Sequence, residues 1–584
     1  MRTVSFVLIS ALAVPSMTEA APVHVEVRSA DGGHTLFRGG KPYVIKGAGG
    51  TGSLEHLARL GANSVRTWGA EDLGPRLDEA HRLGLTVTIG IWLGHERHGF
   101  DYTDDEQVFE QLERARTAVL AYRDHPALLM WGVGNEMEGF ADGGNAAIWS
   151  AVNNVAALVK RLDPHHPTMT VLAEIGGKRV ANVHRLCPDV DIVGVNSYGG
   201  VRSLADRYQA AGGKKPFVVT EFGPPGAWET SKTGWGAPVE LSSVNKGRVY
   251  EAAYKSIYRS PQALGAYAFV WGNKREATAT WFGLLLPDGT PLNPVDRLQW
   301  LWSGKYPKNR SPRITALVAK GATTQDPGAE LVVEASVSDP EKDPVELTWV
   351  LEPEAREHVT GGDKQAEPPT YPERLEPQGP RKVRVRMPER PGGYRLYAYA
   401  RDGRGASTAN LPLLVRGPLS PGVDAGSLPV DVLSTKTPRW VPSGYMGSTE
   451  AISMTPATHD GRTGIRVEYR RPDNWGGVVW QHPANDWGDR PGGFDLSKAK
   501  RLTFWARGAS GGEKVKFGYG LLKPDKAYPD SSGREAEKVL SQKWKRFSFD
   551  LGGEDLSRIK TGFFWVVGGA GKPVVFHLAD VRFE

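Results

Sequence analysis

The chain has 584 residues, 72 lysines and arginines against 66 aspartates and glutamates, a formal net charge of +6 and one cysteine. That length exceeds what one hydrophobic core supports and suggests about three domains, while a charge spread without any basic block is too dilute to imply nucleic acid or a membrane surface as partner. A lone Cys187 excludes an intrachain disulfide, so stability must come from packed cores.

At the start, Arg2 precedes an apolar stretch from Val4 to Val14, followed by Thr18-Glu19-Ala20. This pattern predicts a signal peptide over 1–20, cleaved after Ala20, and a secreted or periplasmic mature chain. No later stretch approaches the roughly 18 consecutive apolar residues needed to cross a bilayer. No cysteine near the cleavage point offers a lipid anchor there.

Over 21–306 strand-like and helix-like segments alternate, as in a parallel sheet wrapped by helices. Strands are expected at 43–47, 64–68, 86–92, 128–135, 168–173, 192–196, 217–220 and 265–271, and eight such units close a (β/α)8 TIM barrel. A helix is expected over 104–123, where Val108, Leu112, Ala115 and Val119 recur at helical spacing. Another is expected over 71–83, with Gly84 as C-cap.

Two of these apolar runs end in glutamate: LLMWGVGNE, ending at Glu136, and FVVTE, ending at Glu221. Burying an ionisable group costs several kcal/mol unless it is paired or faces solvent, so two strands that end this way suggest a shared polar rim. In a barrel the C-terminal strand ends form the site. The candidates there are Arg66 with Trp68, Trp92 with His95, Asn135 with Glu136, then Glu174, Tyr198, Glu221 and Trp271. Their chemistry is coherent. A retaining glycosidase needs one protonated carboxyl to serve the leaving oxygen and one ionised carboxylate to attack the anomeric carbon. Arg66 would keep the attacking carboxylate ionised and Tyr198 would orient it. Asn135 would hydrogen-bond a sugar 2-hydroxyl, and Trp271 would offer a flat face to a pyranose ring.

Asn135-Glu136 after the fourth strand and Glu221 after the seventh, in step with Arg66, Tyr198 and Trp271, resemble the clan A retaining glycoside hydrolases, the 4/7 superfamily. The resemblance covers about the first half of the chain. It implies that Glu136 is the general acid/base and Glu221 the nucleophile, with no cofactor. Without preceding sandwich domains the chain looks nearer to β-glucanases, β-mannanases and β-glucanosyltransferases than to the β-galactosidase arrangement.

Blander readings compete at several positions. Glu138 is a rival acid, which the Asn beside Glu136 disfavours. Glu71 and Glu174 read as rim or loop charges. His95 and His98 flank Glu96-Arg97 in a loop, where sugar contact is favoured over a metal site because no further ligand cluster accompanies them. Trp228 and Trp235, after Glu221, suit either a sugar subsite or loop packing.

Beyond a basic, proline-containing linker at 303–312, short alternating runs over 312–416 predict an immunoglobulin-like β-sandwich acting as a spacer. Within it, Asp339 and Asp343 read as turn residues rather than calcium ligands. A second linker, 417–429, leads into 430–584, where helix signals are almost absent and a jelly-roll β-sandwich is expected. The phrases DLSKAKRLTFWA and FHLADVRF resemble carbohydrate-binding-module sandwiches. Trp475, Trp480, Trp487 and Tyr519 are candidates for a sugar platform, while Trp505 and Trp565 read as core.

The sequence thus predicts a multidomain protein hydrolysing a β-linked glucan or related polysaccharide by double displacement. A transglycosylase using the same two glutamates remains open, as does a noncatalytic carbohydrate-binding surface protein. The partner expected is an oligosaccharide or polysaccharide, and the oligomeric state is open.

Overall fold

The structure is a computed structural model that describes residues 22–30, 32–139, 141–355, 365–417, 420–471, 474–569 and 572–584. The expected signal segment lies outside the described residues. Among them, no helix is long and apolar enough to cross a membrane.

An antiparallel sheet of β1 (Val25–Ala30), β2 (Gly33–Arg38) and β3 (Lys41–Tyr43) precedes a closed parallel barrel. The barrel strands are β4 (Ile45–Gly50), β5 (Ser64–Arg66), β6 (Thr86–Ile91), β7 (Leu128–Val133), β8 (Thr168–Ala173), β9 (Ile192–Asn196), β10 (Phe217–Phe222) and β11 (Ala263–Trp271). They are joined in sequence, and β11 pairs with β4 to close the ring. Val25 and Leu36 of the first sheet pack on Ile45, Ile192 and Leu264, at or near the starts of barrel strands. That packing covers the N-terminal end of the barrel and leaves the C-terminal end as its mouth.

The connecting helices are α1 (Leu54–Arg59), α2 (Gly74–Arg82), α3 (Asp105–Tyr122), α4 (Ala146–Leu162), α5 (Arg179–Leu186), α6 (Leu204–Ala210), α7 (Ser243–Ile257) and α8 (Asn293–Ser303). Side-chain caps hold several of them. Asp104 accepts from Glu106 N and Gln107 N at the start of α3, and Asn145 accepts from Ala147 N at the start of α4. α4 turns Trp149, Val152, Val155 and Val159 inward at helical spacing.

The first barrel strand runs later than expected, because Lys41–Tyr43 pairs with β2 and the glycine-rich run 47–50 carries the ladder. Glycine is needed there: a Cβ at Gly50, where φ is 142°, would meet Trp271 O at 2.2 Å.

The second unit packs two four-stranded sheets, built from β12 (Arg313–Ala319), β13 (Thr324–Gln325), β14 (Glu330–Ser338), β15 (Glu346–Pro353), β16 (Leu375–Pro377), β17 (Lys382–Arg386), β18 (Gly392–Arg401) and β19 (Ala406–Val415). Asp339 Oδ1 accepts from the backbone of Glu341 and Asp343, both at 2.9 Å, the hydrogen bonding of a turn. The third unit packs a six-stranded sheet on a five-stranded one around Trp440, Phe504, Phe517, Phe563 and Trp565. Two of the expected platform residues, Trp480 and Tyr519, lie in that core because they occupy inward positions of their strands. Trp475 is exposed and Trp487 half-buried. Trp505, expected inside, sits on the outer face with the Arg462 guanidinium 3.9 Å above its ring.

Candidate active site

A cavity of about 730 Å³ opens at the barrel mouth, lined among others by Trp68, Trp92, Asn135, Glu136, Tyr198, Trp228, Glu221 and Phe269. Strand geometry accounts for who reaches it. Residues two apart on a strand point to one side, so Arg66 at the end of β5 and Trp68 just beyond it both address Glu221. In the same way Asn196 and Tyr198, at and after the end of β9, divide between the two glutamates. Past β7 the chain leaves the ladder through Gly134 at φ 70° and Glu136 at φ 52°, turning both Asn135 and Glu136 toward the cavity. The β9–β10 pairing shifts register between Val219 and Glu221, which re-aims the end of β10.

Glu221 is held by three donors. Oε1 accepts from Arg66 Nη1 and Trp68 Nε1, each at 2.9 Å, and Oε2 accepts from the Tyr198 hydroxyl at 2.6 Å. Three donors thus converge on its two oxygens, two of them from groups that only donate. Burial, then the charge of Glu221, pushes Tyr198 well above its ordinary value, so it stays a donor. Arg66 is itself fixed: Nη1 also donates to Thr220 O at 3.1 Å and Nη2 to Asn135 Oδ1 at 2.6 Å.

Glu136 has a different setting. Among the described residues its hydrogen-bonding side chain is Asn196, whose Nδ2 donates to Oε1 at 2.7 Å. Burial, reinforced by the charge of Glu221, pushes its carboxyl up to about 7. The cavity therefore holds one carboxyl group secured by three donors and one whose burial favours its protonated form.

The remaining expected residues divide. Asn135, Tyr198 and Trp92 line the cavity, with Trp92 39% exposed on its rim, while Arg66 is buried behind Glu221 and reaches the site through it. His95 does not line the cavity: it is buried behind Trp92, ring centroids 5.0 Å apart, and backs that indole instead of meeting a sugar. Trp271 is also misplaced by the sequence reading. It is fully buried, its Nε1 donates to Ser53 O at 3.0 Å, and it packs in the barrel core, because the inward position at the end of β11 falls to Phe269. Glu138 is withdrawn from the cavity, accepting from Ala173 N at 2.7 Å and pairing with Arg179. Glu174 lines the rim, paired with Arg207, and Glu71 is exposed. Trp228 lines the cavity at 54% exposure, whereas Trp235 lies against Gly393 of the second unit.

Asn196, Phe269, Lys274 and Glu276 were missed. The first reads as an ordinary strand end, and the last two sit in a loop with no periodic signal. The alternation along β11 would have put Phe269 and Trp271 on one side, which gives no reason to prefer Phe269.

Residues 57–232 match the family described as glycosyl hydrolases family 2, TIM barrel domain. A relative in Oryza sativa subsp. japonica bearing the name of a mannan endo-1,4-beta-mannosidase is 23% identical, covering 37% of this chain and 70% of that protein. One in Aspergillus terreus with the same activity in its name is 25% identical, covering 23% of this chain and 38% of that protein. The solved apo structure of Bacteroides uniformis beta-glucuronidase 3 aligns at 15% identity and a TM-score of 0.36, over 95% of this chain and 65% of that one. The mannosidase names lie on the side the sequence reading leaned to, while family 2 is one it did not name. The barrel half of this chain is a closed eight-stranded TIM barrel, and residues 57–232 within it are similar to a glycoside hydrolase barrel domain.

Proposed function

We propose that the protein is a retaining β-glycosidase acting on a β-linked hexose polymer, a glucan or a mannan. Glu221 attacks the anomeric carbon, and Glu136 protonates the departing glycosidic oxygen. Glu136 then takes a proton from the incoming water, whose oxygen displaces Glu221 and releases the sugar with its configuration retained. The observation that carries this reading is the contrast between the two carboxyl groups of one cavity. Glu221 accepts three hydrogen bonds, while Glu136 has its carboxyl pushed up to about 7. Environments that hold two carboxyls apart in this way assign the acid and the nucleophile. Asn135, its Oδ1 taken by Arg66, has its amide N–H groups left for a sugar hydroxyl. The mannosidase names of the two relatives support the polymer class.

The test is a panel of β-1,4-linked gluco- and manno-oligosaccharides assayed for new reducing ends, with NMR of the first product formed. Release of the β-anomer supports the mechanism; release of the α-anomer, or no turnover on any β-linked polymer, removes it. The same reading has the chain exported after cleavage near Ala20, which the N-terminal residue of protein from its native host decides.

A further inference from the structure

The segment that follows β11 forms one wall of the cavity, and its residues alternate in direction. Lys274 and Glu276 face the cavity, ion-paired at 2.5 Å. Glu276 is buried, and the Lys274 ammonium stands 5.4 Å from the Phe269 ring. Between Glu276 and Thr278 the backbone doubles back on itself, Thr278 N donating to Glu276 O at 2.7 Å and Glu276 N to Thr278 O at 3.2 Å. Ala277 at the turn has φ 59°, a left-handed conformation that an L-residue with a Cβ holds only where its surroundings impose it.

Those surroundings come largely from the second unit. Arg275 makes a two-bond pair with Glu352, Nη1 to Oε2 at 2.9 Å and Nη2 to Oε1 at 3.0 Å. Ala277 N donates to Gln365 Oε1 at 2.9 Å. Glu240 of the barrel accepts from Thr278 Oγ1 and from Asn410 Nδ2 of the second unit on one oxygen, both at 2.6 Å, and from Thr280 Oγ1 at 2.8 Å on the other. Thus the same short stretch presents a charge pair to the cavity on one side and is fastened to the sandwich on the other.

We propose that the second unit is a working part of the site and not a spacer: through Glu352 and Gln365 it holds Lys274 and Glu276 as a fixed donor–acceptor pair that reads adjacent hydroxyls of a neutral hexose. An ammonium supplies donors only and a carboxylate acceptors only, so together they satisfy two neighbouring hydroxyls, each of which can give and take a hydrogen bond. The pair carries no net charge, so the Lys274 ammonium is already neutralised by Glu276 and offers a uronate carboxylate no uncompensated cation. What the pair contacts rests on the glycosidase reading; the fastening does not.

The experiment uses the full chain with Glu352→Gln, Gln365→Ala, and Arg275→Ala alone and combined with Glu352→Gln. Two measurements are made: hydrogen–deuterium exchange over 273–282, and steady-state kinetics giving KM and kcat on an oligosaccharide the wild type cleaves. Each single variant is expected to speed exchange in that segment by about tenfold and to raise KM by about tenfold, with kcat changed far less. The double variant should match its singles, because both remove one contact. Arg401→Ala serves as control. It breaks a different contact between the same units, Arg401 Nη1 to Asp288 Oδ2 at 2.8 Å, and should leave exchange and KM as they are. Wild-type exchange in the Glu352 and Gln365 variants, or the same change in Arg401→Ala, overturns the fastening. Faster exchange with unchanged KM overturns the hydroxyl-reading role. A wild type that cleaves no sugar overturns the glycosidase reading, while exchange still decides the fastening.

Discussion

Asn196 donates from Nδ2 to Glu136 Oε1 at 2.7 Å while its own Oδ1 accepts from the Thr220 hydroxyl, also at 2.7 Å. The amide thus links Glu136 to the strand that carries Glu221, and its orientation is set by Thr220. A donor to Glu136 favours the ionised form and works against burial. Replacing Asn196 by Ala should move the alkaline limb of the kcat/KM profile to higher pH while lowering its plateau. A limb displaced to lower pH would mean that the amide does not act on Glu136.

In the proposed mechanism Glu136 must carry a proton to serve the leaving oxygen, so activity should fall as pH rises through about 7. In Glu136→Gln this limb should vanish and turnover of an unactivated glycoside should drop by about 10²–10⁴. An aryl glycoside whose phenol leaves without protonation should be cleaved with a much smaller loss in its first step. Equal losses on both substrates in a pre-steady-state assay would remove Glu136 from the acid role.

The same residue should mark the stability curve. Its folded value, about 7, lies above the ordinary 4.5, so the folded state holds the proton more tightly than the unfolded chain. Below about 4.5 both states are protonated and nothing is lost; between there and about 7 stability declines as pH rises, then the loss stays constant. Glu136→Gln should therefore match the wild type near pH 4 and exceed it near pH 8 by on the order of 3 kcal/mol. Urea titrations at the two pH values measure this, and a variant weaker than the wild type at pH 8 contradicts it.

Tyr198 donates to Glu221 Oε2 at 2.6 Å. Tyr198→Phe keeps the ring, which packs on Phe269 and Phe282, and removes the hydroxyl alone. A loss of about 10²-fold in kcat is expected, with the melting temperature little changed. Trp68→Phe, which removes the donor to Oε1, should act in the same direction. A wild-type kcat in both variants would show that orientation of Glu221 does not depend on these hydrogen bonds.

The tryptophans should separate by role. Trp271→Ala empties a fully buried site and should cost about 3–5 kcal/mol of stability. Trp92→Ala and Trp228→Ala remove indoles exposed at the cavity rim, and should leave unfolding within about 1 kcal/mol of the wild type. Their effect is expected in KM for longer oligosaccharides. Chemical denaturation and chain-length-dependent kinetics distinguish the two classes, and a stable, KM-defective Trp271→Ala would return that residue to the site.

The sequence by itself determined the barrel, because apolar runs of strand length alternating with amphipathic helices have few other ways to bury their surfaces. It also picked out Glu136, Glu221, Arg66, Asn135 and Tyr198, since polar side chains at the ends of apolar strands stand out against the pattern. It could not decide which aromatic side chain at the end of a strand faces the cavity. By alternation Trp271 and Phe269 would share a side of β11, but the β11–β4 pairing shifts register between them, and Trp271 goes into the core while Phe269 lines the mouth. It could not find Lys274 and Glu276 either, or show that Glu352 and Gln365 meet the loop that carries them. Local sequence encodes which surface each element must bury, whereas contacts between loops of different units depend on how those units pack, and no periodicity records that.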